Sequence, residues 1–295
     1  MKEDHRNRII LGLLLLTALS LFLTLPGPLR LISGAVQAFM IPGLVFLFLV
    51  GDRKRTWMDS VFFIPVISPV LLTISVLITC LITGDLEFSL KFSTGLFYIL
   101  LLVCFMSGRF DWGAAASPVP RSVILLSVGY GLLIALSYQI NDLLLIRSDA
   151  WYHGSVTREI LARGIPPMEP WLPDRPIRYM WIYHLFLASW KELSGLSLFR
   201  SMIALNLISA FSFPYLMGRI SSFFTTDRKR IFLVSLIALA GLESASWIGW
   251  PLVFMRVFSG EVSGMEEVRR IISELSFTGP GMIHTLAPFP TYMVN

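Results

Sequence analysis

YMWIYHLFLASWKEL, Tyr179 to Leu193, is the stretch on which the architecture turns. It is apolar enough to be read as a membrane span, and that reading would fix the orientation of everything after it. Its 15 residues, at about 1.5 Å each, reach about 22 Å, short of the ~30 Å hydrocarbon core of a bilayer. Counted as a span, it would also put Asp227-Arg228-Lys229-Arg230 outside, against the tendency of Lys and Arg to stay in the cytoplasm. Tyr179, Trp181, Tyr183 and Trp190, closed by Lys191-Glu192, suit instead a helix lying in the outer interface of the membrane.

Outward from this stretch the chain is dominated by longer apolar runs. Of its 295 residues 55% are apolar and only 15% charged, with a mean hydropathy of +0.71. That composition excludes a water-soluble core and excludes disorder, which needs charge and few aromatics. The runs Ile9–Leu25, Leu31–Val50, Val61–Ile82, Phe92–Ser107 and Ser122–Ile146 precede the deciding stretch, and Ser201–Ile220 and Ile231–Met255 follow it. The expected fold is therefore an all-α polytopic membrane protein with about seven transmembrane helices and interfacial helices in an outer loop. Ile9–Leu25 behind Lys2, Arg6 and Arg8 shares its layout with a signal peptide. It lacks a small-residue cleavage site, and a second apolar run follows at once, so it reads as an uncleaved first span.

Charge sets the orientation. Arg53-Lys54-Arg55 follow the second run, Asp85 and Glu87 the third, and Arg109 and Arg121 flank the loop after the fourth. By the positive-inside rule the N-terminus is cytoplasmic and the loop after the fifth run lies on the outer face, at the plasma membrane. The excess of 24 Lys and Arg over 19 Asp and Glu is then a topological signal, and nucleic acid is not an expected partner. Cys80 and Cys104 fall near opposite ends of neighbouring spans and cannot pair. Three regions result: a four-span membrane region over 1–121, a membrane module over 122–255 with its outer loop at 147–200, and a further outer loop over 256–295. The last carries Glu261, Glu266-Glu267 and His284 and ends at Met293-Val294-Asn295 without a closing element, as the N-terminal part of a longer protein would.

The outer loop differs from the rest in chemistry. From Arg147 to Gly195 it holds two histidines, four tryptophans and five prolines close to the membrane surface. Ser148 or Asp149 can cap a helix running from about Ala150 to Arg163, stopped by Gly164 and Pro166-Pro167. Asp149 and His153, four apart, share one face of that helix. Ile165–Arg178 reads as an irregular, proline-rich connection.

Ser148-Asp149-Ala150-Trp151-Tyr152-His153 resembles the first outer-loop motif of the GT-C superfamily of membrane glycosyltransferases, with its closest echo in oligosaccharyltransferase catalytic subunits. Gly164-Ile165-Pro166, Pro170-Trp171 and the Tyr-x-x-x-Tyr-His run at Tyr179–His184 are similar to bacterial and archaeal members. The resemblance covers about Ser122–Met255. It implies transfer of a sugar from a polyprenyl-phosphate or -pyrophosphate carrier to an acceptor, with inversion. Asp149 matches the family's acid, as general base or as a ligand for a divalent cation, Mg or Mn. Tyr152, His153, Tyr179 and His184 are candidates to bind sugar or phosphate, and Arg158, Arg163, Arg175 and Arg178 to hold the carrier phosphate.

Several features depart from the family. Four spans precede the module, whereas the usual first acid follows the first span. The acidic residues of the next outer loop have no matching context, and the Trp-Trp-Asp-Tyr-Gly motif of oligosaccharyltransferases does not occur. For each site residue a plainer role stands beside the functional one: a helix cap for Asp149, a backbone hydrogen bond for His153, packing for His184, lipid headgroups for the arginines and interface anchoring for the aromatics. Glu243, halfway through the last run, is costly in lipid and calls for a structural partner or a functional role. The alternative function is a non-catalytic transporter or envelope-assembly protein with the same architecture. A transporter calls for polar residues at mid-membrane, and here polar density concentrates in the outer loop.

Overall fold

A computed structural model describes residues 14–21, 25–50, 57–107, 117–140, 148–177 and 181–242, with residues 12, 23, 256, 259 and 260 beside them. Part of Ile9–Leu25 (residues 9–11, 13, 22 and 24), the end of the fifth expected span and all of 243–255, with Glu243, lie outside the described residues, as do Glu261, Glu266, Glu267 and His284. By packing, the chain divides into two compact units, Met1–Ala116 with Tyr152–Ser201, and Ser117–Trp151 with Met202–Asn295.

In the first unit, α1 (Gly27–Phe39) and α2 (Ile41–Val50) form one broken span. The break at Met40 precedes Pro42, which has no N–H to offer the carbonyl one turn back. A long helix α3 (Trp57–Thr83) carries Pro65 and Pro69 in its interior. Thr73 Oγ1 donates to the Pro69 carbonyl at 2.6 Å, a hydroxyl satisfied by the carbonyl one turn back on its own helix. Gly84 (φ +70°) ends α3, and Asp85 starts α4 (Leu86–Met106) by accepting from the Phe88 N–H at 3.0 Å. This helix begins six residues before the expected Phe92. Glu87 and Lys91, which read as loop, instead sit on its first turns as an ion pair at 2.6 Å.

Four helical stretches among the described residues are long and apolar enough to cross a membrane: Gly27–Val50, Ser60–Thr83, Leu86–Met106 and Leu198–Ser221. Ile78 and Ile99 are more than half exposed on them, as suits helices solvated by lipid rather than water. Cys80 and Cys104 are buried free thiols.

The region from Tyr152 to Ser201 packs with the N-terminal helices. Helix α6 (Ser148–Arg163) starts at Ser148, slightly earlier than expected, and stops at Gly164, whose φ of +83° a side chain would strain. Part of the expected irregular connection is a two-stranded antiparallel hairpin, β1 (Met168–Glu169) and β2 (Leu172–Pro176), turning at Pro170-Trp171. The prolines leave it short, since each removes a ladder donor. Helix α7 (Ile182–Ser194) follows, and its 13 residues measure about 20 Å, too short to cross a bilayer core.

α7 does not lie on an open surface: His184 to Trp190 are all buried, against α1 and α3. The expected interface anchor Trp190 is only 2% exposed and meets Phe39 edge-on at 4.9 Å. It is a core residue, because α1 covers it. Gly34 permits that cover: a Cβ there would sit 2.7 Å from the Leu193 carbonyl carbon. Inside the same unit Gln37 Nε2 donates to the Thr17 carbonyl (2.8 Å) and to Ser20 Oγ (2.9 Å), a buried polar knot within a run that reads as purely apolar.

The second unit contains α5 (Arg121–Ile140), most of α8 (Leu198–Ser221) and α9 (Arg228–Leu242). Asn206 Nδ2 donates to the Tyr138 hydroxyl at 2.8 Å, tying α8 to α5. A Cβ on Gly218 would stand 2.9 Å from Ser235 Oγ and from Val123 Cγ1, so α5, α8 and α9 meet at a small residue. Asp227 caps α9 by accepting from the Lys229 N–H at 2.9 Å.

Candidate histidine and aromatic site

The residues singled out between Asp149 and His184 fall into three groups. Tyr152, His153 and His184 come together. Asp149 lies in the first turn of α6, four residues before His153, and its side chain is outside the described residues. Arg178 and Tyr179 also lie outside them. Arg158 and Arg175 are exposed, and Arg163 is bound up with Glu159 at 3.4 Å.

At the centre, His153 Nδ1 and His184 Nε2 share a hydrogen bond of 2.8 Å, although the residues are 31 apart in sequence. His153 is 8% exposed and His184 fully buried. One ring donates and the other accepts, so the tautomers of the two are locked to each other. Two imidazolium charges at this distance would repel in a site with little solvent to screen them.

Helix geometry makes this contact possible. Thr157 Oγ1 donates to the His153 carbonyl at 2.7 Å, and the His184 N–H donates to the Trp181 carbonyl at 2.9 Å, so each histidine sits on a regular turn. Tyr183 stands edge-on to His153 with ring centroids 5.8 Å apart. Tyr152 packs against Trp171 of the hairpin at 5.2 Å, and its hydroxyl reaches Glu169 Oε2 at 3.4 Å.

Glu169 is the residue sequence reasoning missed. Its Oε1 is buried and has no hydrogen-bond partner among the described residues. The string Pro167-Met168-Glu169-Pro170 carries no spacing signal that marks it out. Only the hairpin, whose turn follows directly, brings that carboxylate to Tyr152. Among the described residues no three His, Cys, Asp or Glu side chains gather to hold a metal ion.

The arrangement can hold a proton on the histidine pair, present one carboxylate and one phenol, and offer aromatic faces at Trp171, which is 76% exposed. His184→Phe tests its internal economy. Losing the partner of His153 Nδ1 is expected to destabilise the chain by about 1–3 kcal/mol. That would appear as a lower midpoint of thermal unfolding in detergent; an unchanged midpoint would mean the hydrogen bond contributes nothing net. Compared with protein-family models, with curated proteins and with solved structures, the chain matches none.

Proposed function

We propose that this chain is a glycosyltransferase of GT-C type, taking a sugar from a polyprenyl-phosphate carrier and passing it to an acceptor at the outer face of the plasma membrane. The observation that supports this reading is the buried His153–His184 pair, whose first member stands on the helix that carries Asp149 in its first turn.

In this reading the acceptor hydroxyl attacks the anomeric carbon as the bond from that carbon to the carrier phosphate oxygen breaks. The electron pair leaves with the polyprenyl phosphate, and Asp149 takes the hydroxyl proton as general base. The histidine pair and Tyr152 orient the sugar, and apolar helices solvate the prenyl tail. Trp171, exposed on the hairpin, offers a face on which a sugar ring can stack.

The test is release of polyprenyl phosphate from a radiolabelled polyprenyl-phosphate hexose by membranes carrying the full chain. Release above that of membranes lacking it is expected; no release from monophosphate or pyrophosphate donors would sink the reading. The orientation has its own test. Thr226 is exposed in the turn between α8 and α9, so Thr226→Cys is expected to react with a membrane-impermeant maleimide only after the cytoplasmic side is opened. Labelling of intact cells would reverse the topology.

A further inference from the structure

The first unit encloses a cavity of about 480 Å³ that the transfer reaction does not use. It lies where helices begin and end: Arg30 is on the first turn of α1, Lys91 near the start of α4, and Glu192 near the end of α7. Spans stop at Thr83 and restart at Leu86, so this is the depth at which lipid headgroups sit. The histidine pair is elsewhere. Leu161, which lines the cavity, is eight residues past His153, and Glu192 is eight past His184, about 12 Å along each helix.

The lining has three chemistries. The floor is polar, with Gln37 and Ser33 both more than nine-tenths buried and facing the cavity beside Ser20. The rim is charged and balanced. One wall carries Lys91 and Glu87, 2.6 Å apart; the other carries Arg30, whose guanidinium donates to the Glu192 backbone carbonyl, and the Glu192 carboxylate, which also meets Lys191 Nζ at 2.9 Å. The rest is leucine, from Leu21 to Leu193.

We infer that this cavity is a binding site for a phospholipid with a zwitterionic phospho-amine headgroup. Arg30 and Lys91 match the phosphate, since guanidinium and ammonium donors make charge-assisted bonds to its oxygens. Glu87 and Glu192 match a primary ammonium group. The two lining carboxylates oppose an anionic headgroup; Lys191, 2.9 Å from Glu192 Oε1, lies outside the lining. The leucine walls require an apolar tail, so the source is a lipid rather than a free phospho-amine. The volume suits a headgroup with its first glycerol carbons, within the ~300–1,000 Å³ range of small-molecule sites.

The test uses the full chain purified in mild detergent, mixed in separate samples with phosphatidylethanolamine or phosphatidylglycerol and read by native mass spectrometry. One phosphatidylethanolamine is expected to be retained per chain, with about tenfold preference over phosphatidylglycerol, the effect of about one ionic hydrogen bond. The double variant Glu87→Gln, Lys91→Met changes the exposed pair and is expected to erase that preference. Leu161→Trp, which fills the cavity and leaves the charges alone, is expected to lower retention of both lipids. Soluble glycerophosphoethanolamine at millimolar concentration is expected not to displace the lipid. Equal retention of the two lipids, an undiminished preference in the double variant, or displacement by the soluble headgroup would each overturn the assignment. None of these readings depends on sugar transfer, so failure of the proposed reaction leaves this site standing.

Discussion

Asp149→Asn is expected to lower the rate of sugar transfer by about 10²–10⁴-fold, the range that a positioned general base supplies. That corresponds to about 2.7–5.5 kcal/mol of lost transition-state stabilisation. Asparagine keeps the size of the side chain and can still accept a hydrogen bond at a helix start, so α6 should begin where it does now. It cannot take the acceptor's proton and is a weaker ligand for a divalent cation. The measurement is the initial rate of polyprenyl-phosphate release at saturating donor, normalised to the amount of protein in the membrane. A fall in rate at unchanged abundance is the expected result. Full activity would remove Asp149 from the mechanism and leave it a helix-terminal residue. Should the rate fall only as far as the protein level does, the role is structural.

Gly34→Leu is expected to abolish the packing of α1 on α7. Any Cβ at this position would lie 2.7 Å from the Leu193 carbonyl carbon and 2.8 Å from both the Leu193 oxygen and the Ser194 nitrogen. These are backbone atoms capped by Gly195 in a left-handed conformation, so they cannot swing aside as a flexible side chain would. Parting the helices would also separate Phe39 from Trp190 and Arg30 from the Glu192 carbonyl. A loss of about 3 kcal/mol or more is expected, at or beyond the upper end for overpacking. In detergent this would show as aggregated protein, or as a midpoint of thermal unfolding far below that of the parent. Gly95→Ala is the control, because nothing lies within 4 Å of a Cβ there. Alanine in that mid-helix position is expected to be neutral or stabilising by up to about 1 kcal/mol. Equal midpoints for the Gly34 and Gly95 variants would show that the close approach at Gly34 carries no stability.

Much of the local structure was legible in the residues. Gly164 stops α6 as its sequence context demands, and the long runs at Val61–Ile82 and Ser201–Ile220 are helices with nearly those limits. Other boundaries moved for reasons a linear reading underweights. α4 starts at Leu86 because Asp85 caps it, and the polar residues of its first turns read as a loop in the string. The hairpin at Met168–Pro176 was hidden by its prolines, which argue against strands except in short pieces like this one.

The candidate site was half legible. The spacing of Asp149 and His153 follows from helical period alone, but their relation to residues beyond Gly164 does not. Nothing in the string pairs His153 with His184, brings Glu169 to Tyr152, or buries Trp190 under Phe39. An amphipathic helix rich in aromatics reads the same whether its apolar face meets lipid or another helix. Here α1 takes that face.

The sequence by itself determined the solvent and much of the secondary structure: apolar runs too long and too uncharged for water, a helix stop at Gly164, and a polar loop between the runs. These depend on transfer free energy and on hydrogen bonds within a few residues, which neighbouring side chains dictate. The tertiary structure alone decided which helix covers α7, which histidine meets which, and that Arg30, Lys91, Glu87 and Glu192 ring one cavity. Such contacts join residues tens of positions apart. Their energy depends on shape at close approach, as at Gly34, and shape exists only once the helices have packed.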